Sequence, residues 1–173
     1  MITVDEVLKD EQKPETMTEE RSDAALATFL SNSPACQVAA SALRAGAEVA
    51  LNLTDIEGEW RIWNDPQTGI ALAPGKAKDP DFELRVPPRA GTAIYSRPNA
   101  DIGDLGVMFF EHIVAKDPDL KIHVTLRSGL VKLTGRGWLG LLARGGPTVL
   151  MWMTRRGLSG PGAIATALGR LKR

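Results

Sequence analysis

The sequence predicts an α+β domain, a sheet of short and closely spaced strands covered by helices. Three observations predict it. Residues 48–86 break into short extended segments separated by turn residues, the pattern of strands that pair with near neighbours. Lys121–Arg127 alternates strictly between apolar and polar. On either side of the strand-rich middle, apolar residues recur at spacings of three and four, the period of a helix with one buried face.

In chain order, Thr16–Glu19 fits a capping box, with Thr16 capping and Glu19 reaching back. The helix it opens, about 17–31, places Ala24, Ala25, Leu26, Phe29 and Leu30 on one face. Ser33 is placed to cap a second helix with Pro34 at its first position, running to about Gly46. Strands follow at 48–54, 59–63, 70–73 and 81–86, and their close spacing implies an antiparallel meander with one buried face. Period two puts Trp60 and Ile62 on one side and Trp63 on the other. After Pro87-Pro88 comes a helix-like stretch at about 90–96. Residues 101–116 then form the clearest amphipathic helix, with Leu105, Met108, Phe109, His112 and Ile113 in a stripe that Phe110 and Val114 widen. In the strand at 121–126, Ile122, Val124 and Leu126 face the core. The last third reads as helices over 130–144, from Pro147 to Gly157, and from Pro161 onward.

Composition narrows the function classes. Apolar residues make up 43% and charged residues 24% of the 173-residue chain, as in a folded globular protein. A chain of this size buries roughly 70% of its unfolded surface, enough for a core with a pocket in it. The one cysteine, Cys36, has no disulfide partner and fits a reducing compartment, the cytoplasm. The acidic start is unlike a signal peptide, and the longest greasy stretch, 137–153, is too short and polar to span a bilayer. Residues 1–23 carry eight acids against three bases, whereas residues 120–173 carry ten Lys or Arg and no acid. Such an asymmetry makes either an internal dipole or a basic surface for transient contact with anionic membranes or another acidic partner.

Motifs for chemistry are thin. Gly135-Arg136-Gly137-Trp138-Leu139-Gly140 spells GxGxxG, but no strand precedes it and no acid follows it to hold a ribose. Glycines that let helices approach closely are the better account, and no cofactor is expected. His112 and His123 are the only histidines, and neither has a serine or cysteine at a nucleophile motif, so no catalytic residue and no metal site is expected. His112 reads as a core-edge residue with a satisfied ring. The basic tail lacks a nucleic-acid reading module.

Surplus grease is the positive signal. Leu130, Leu133, Trp138, Leu139, Leu142, Val149, Met151 and Trp152 fall in successive helices that are apolar on more than one side. Their second face suits an apolar ligand, a partner chain or a membrane, and methionines adapt to irregular shapes.

The order of elements then becomes recognisable: Gly58-Glu59-Trp60-Arg61-Ile62, a short strand, Asp79-Pro80-Asp81-Phe82-Glu83-Leu84, a helical crossover with Asp104-Leu105-Gly106-Val107-Met108-Phe109-Phe110, and the strand Lys121–Leu126. Over roughly residues 46–130 this resembles the sterol carrier protein type-2-like family. The resemblance implies a five-stranded, mostly antiparallel sheet covered by helices, with a hydrophobic tunnel between sheet and helices and no catalytic residues. It implies a sterol, fatty acid, acyl-coenzyme A or phospholipid as ligand. The whole chain, 1–173, is then one lipid-binding-like domain. Extra N-terminal helices (16–45) and a helical basic tail (131–173) extend its core (46–130). Leu105, Met108, Phe109, Phe110, Ile113, Trp138, Leu142, Met151 and Trp152 are the expected pocket wall. The alternative expectation is a homodimer or other interaction module built on the apolar C-terminal helices.

Overall fold

The computed structural model of the chain describes residues 21–158 and 161–172. The Thr16–Glu19 capping box lies outside them. Two helices come first, α1 (Ser22–Asn32) and α2 (Pro34–Ala42), then strands β1 (Glu48–Leu53), β2 (Trp60–Asp65), β3 (Gly69–Pro74) and β4 (Phe82–Val86). Helices α3 (Pro88–Tyr95) and α4 (Ile102–Ile113) cross over to β5 (His123–Leu126). The chain continues through α5 (Leu130–Gly135), α6 (Trp138–Arg144), α7 (Gly146–Arg155) and α8 (Pro161–Arg170). The fold is α+β, as expected.

The five strands form one sheet in the order β3-β2-β1-β4-β5. Only β1–β3 make the expected antiparallel meander. β4 pairs with β1 in parallel, Val49 opposite Phe82 and Leu53 opposite Val86, and β5 pairs antiparallel with β4. The sheet is therefore mixed, though mostly antiparallel. The chain reaches β4 by passing the start of β1, where the Glu48 carboxylate accepts hydrogen bonds from the N–H groups of Lys78 at 3.1 Å and Asp79 at 3.0 Å. A strand delivered past that edge has only the free side of β1 to join.

One face of the sheet is apolar, as period two requires. Leu51, Leu53 and Val86 are buried there with Leu26 and Phe29 of α1, Ala90 of α3 and Ile122. Leu105, Phe109 and Ile113 of α4 pack onto the same cluster. Trp60 and Ile62 face this layer. The register puts Trp63 on the opposite face, where the Arg61 guanidinium lies 4.2 Å from its ring centroid. The outward face is polar, with Asn52, Arg85 and His123 exposed.

Helix ends differ from the sequence pattern for local reasons. The Asn64 side-chain amide, buried beneath α2, donates to the carbonyls of Ala40 at 3.2 Å and Leu43 at 2.8 Å, so α2 ends at Ala42 rather than near Gly46. Ser33 occupies the N-cap position before Pro34, but its hydroxyl makes no cap hydrogen bond. On α1, Leu26 and Phe29 are buried as expected while Ala24 is exposed. α4 stops at Ile113, three residues early, because the chain turns back so that Ile122 N–H donates to the His112 carbonyl at 3.0 Å. That bond also keeps Lys121 and Ile122 out of the strand, which begins at His123. The helix expected over 130–144 is two helices. Gly137 sits between them at φ 89°, a left-handed conformation that breaks helical pairing.

Candidate functional site

The best-organised polar cluster lies where the C-terminal helices meet the sheet. Asp81 is wholly buried at the entry to β4. Its Oδ1 accepts from the Ser128 hydroxyl at 2.6 Å and from Arg136 Nη1 at 2.8 Å. Its Oδ2 accepts from the Trp138 indole N–H at 2.8 Å and from Glu48 N–H at 3.3 Å. The Asp81 carbonyl takes the N–H groups of Arg127 and Ser128 at 2.8 and 3.2 Å. One residue thus fastens β1, the end of β5 and the α5–α6 junction. Next to it, Asp79 binds Lys132 at 2.6 Å and Arg136 at 2.7 Å. Hydrogen bonds from these two cations hold the Asp79 carboxyl below its ordinary range. Glu48, nearly buried, pairs with Arg61 at 3.2 Å.

A carboxylate saturated by four donors has no lone pair aimed at a substrate, so this cluster is structural rather than a general base. Sequence reading missed it. Its signal was the Asp-Pro-Asp turn at 79–81 placed directly before an alternating strand. The second such turn, Asp117-Pro118-Asp119, is exposed and, among the described residues, its carboxylates form ion pairs only with Arg89, at 3.6 and 3.7 Å. The basic tail is also partly explained. Arg127 meets Glu83 of β4, and Lys132 and Arg136 meet Asp79 and Asp81 in the turn just before it.

The residues expected to line a pocket divide into groups. Leu105, Phe109 and Ile113 face the sheet. Phe110 turns to α7 and stacks on Trp152, ring centroids 5.5 Å apart and 21° from parallel. Met108 lies at the α3–α4 corner, its sulfur 3.4 Å from Arg97 Nη1. Trp138 sits elsewhere, edge-on to Phe82 at 5.0 Å and bonded to Asp81. Leu142 is half-buried on α6, and Met151 is 54% exposed on α7. The α4–α7 seam is close because glycines line it. A methyl group added at Gly103 would come within 2.7 Å of the Gly145 carbonyl oxygen.

Two open depressions mark the surface. One, of about 590 Å³, lies on the polar outward face of the sheet between Asn52, Arg85, His123 and Thr125 and also borders Leu51 and Leu84. The other, of about 490 Å³, is at the α3–α4 corner around Arg97 and Asp101. Neither is lined by any of the nine expected wall residues.

The remaining candidates resolve plainly. His112 Nδ1 lies 2.8 Å from the Leu120 carbonyl oxygen, which satisfies the ring at the core edge, while His123 is exposed on the far side of the sheet. Cys36 is half-buried against the core, and burial raises its thiol pKa. Gly135–Gly140 lies in the α5–α6 junction with no strand before it. A side chain at Gly137 would overlap the Ala42 carbonyl oxygen, so this glycine serves close packing, whereas Gly135 and Gly140 face open space. Among the described residues no three His, Cys, Asp or Glu side chains group as metal ligands would, and no helix is long and apolar enough to cross a membrane.

The chain is similar to a structure described as "UbiJ-SCP2 Ubiquinone synthesis protein", at 17% identity and a TM-score of 0.39, over 72% of this chain and 88% of that one. No family model and no curated protein matches the chain. Similarity at that level carries no functional argument, and function is argued below from the chain's own residues.

Proposed function

We propose that this protein binds a hydrophobic ligand, without catalysis, between the inward face of the sheet and helix α4. One observation carries the reading. Leu51, Leu53 and Val86 on that face are sealed at 3%, 0% and 6% exposure, yet Leu84, which also borders the outward depression, remains only partly buried although β4 is flanked by β1 and β5. Val124 beside it, Trp60 across β1, and Phe109 and Ile113 of α4 are likewise only partly buried. Closely packed cores leave few voids larger than a water molecule, and the side chains around Leu84 are uncharged and apolar. An acyl chain or a ring system entering there gains about 0.8 kcal/mol for each methylene it buries. Leu105, Phe109 and Ile113 form the wall in this reading. Sterols, fatty acids, acyl-coenzyme A and phospholipids are the ligand classes that fit.

The reading is tested with Leu84→Trp and a fluorescent fatty acid. A sealed layer resists the larger ring at a cost of about 1–3 kcal/mol. A layer with room accepts it. The proposal expects Leu84→Trp to keep the wild-type melting temperature and to lose most fatty-acid binding. A strongly destabilised variant, together with no saturable binding by the wild type, contradicts it.

A further inference from the structure

We propose that the outward face of α7 docks on an anionic phospholipid bilayer; this rests on the lipid-binding reading and gives it a place of loading. On α7, Val149 and Met153 are buried at 2% and 6% exposure and hold the helix to the domain, while Leu150 and Met151 stand out at 55% and 54%. One turn beyond Met151 comes Arg155, whose Nη2 lies 3.5 Å from the Met151 sulfur. Arg156 lies over the Trp152 ring at 5.0 Å, and exposed Arg144 closes the preceding helix.

Charge selects the occupant. Within residues 120–173 there is no carboxylate side chain to answer these arginines. Arg127, Lys132 and Arg136 are met by acids of β4 and the turn just before it, whereas among the described residues no carboxylate lies within ion-pair distance of Arg144, Arg155 or Arg156. Apolar side chains beside cations that no carboxylate among the described residues neutralises match the two layers of a bilayer surface, acyl boundary and anionic headgroup. A second copy of this chain matches poorly. A two-fold contact would set Leu150 against Leu150 and also bring Arg155 and Arg156 toward their own copies, a like-charge juxtaposition.

The experiment is co-sedimentation of the full chain with vesicles of phosphatidylcholine alone and of phosphatidylcholine with phosphatidylglycerol in equal parts. The protein is expected to sediment with the mixed vesicles, to stay in solution with the neutral ones, and to be released by high salt. Leu150→Glu abolishes sedimentation, and Arg155→Gln with Arg156→Gln lowers partitioning about tenfold or more. Fatty-acid binding by Leu150→Glu in vesicle-free solution stays at the wild-type level, so docking and ligand binding fail separately. Sedimentation with neither vesicle, equal sedimentation with both, wild-type sedimentation by Leu150→Glu, or a dimer in light scattering that Leu150→Glu dissolves would each overturn the proposal.

Discussion

At the scale of single residues, the buried Asp81 carboxylate accepts four hydrogen bonds. Its four donors come from segments far apart in sequence, and removing the carboxylate leaves the guanidinium of Arg136, itself 18% exposed, without its buried partner. Breaking one side of a buried pair costs about 3–5 kcal/mol. Urea unfolding should show Asp81→Ala destabilised by that amount. Trp138→Phe, which deletes one donor and keeps a ring against Phe82, should lose only about 1 kcal/mol. Equal losses in the two variants would mean that the ring rather than the hydrogen-bond network holds the junction. Tyr95, the single tyrosine of the chain, offers a second residue-scale test. Burial, reinforced by the Asp55 carboxylate, raises its phenol to about 12 from an ordinary 10.0. The unfolded chain then releases the proton before the folded one does. The stability Tyr95 contributes is complete below pH 10 and is lost as the pH rises through about 12. The slope is up to about 1.4 kcal/mol per pH unit. Ultraviolet titration should find the phenol ionising well above its ordinary value in the folded protein and near it in denaturant; coincident titrations would refute the burial assigned to Tyr95.

At the scale of elements, the α4–α7 contact is set by backbone proximity more than by side-chain bulk. Gly103 faces the Gly145 carbonyl and Gly106 faces Val149. Gly103→Ala should push the helices apart and cost about 1–3 kcal/mol. Thermal melting reads the loss, and near-ultraviolet dichroism should show Trp152 released from its stack on Phe110. An unchanged melting point would contradict the close approach. The elements themselves were largely legible in the sequence. Alternation assigned the strand faces, including the opposite placement of Trp60 and Trp63, and three-four spacing located α4. Pairing was not legible. Nothing in the period of β4 distinguishes a parallel partner from an antiparallel one, because the choice is made by the path of residues 75–81 around Glu48. Helix breaks were equally hidden, since Gly137 reads as an ordinary helix glycine until the Ala42 carbonyl is seen against it.

At the scale of the whole molecule, the polar order and the apolar order separate. Ion pairs collect where the basic tail meets the start of the sheet, and the uncharged inward face continues under α4. The sequence grouped nine apolar residues into one wall because it reports hydrophobicity without direction. The structure divides them between the inner layer, the α4–α7 seam, the Asp81 cluster and the outer surface. The apolar pattern of the C-terminal helices did convey a surplus beyond one buried face; which helix carries the excess outward required coordinates. The central claim is that the layer around Leu84 holds lipid. Native mass spectrometry of freshly purified protein tests it most directly. The account predicts adducts in the mass range of one lipid per chain, lost on organic extraction and restored by adding fatty acid. A single unadducted mass before extraction, unchanged by added fatty acid, would contradict it.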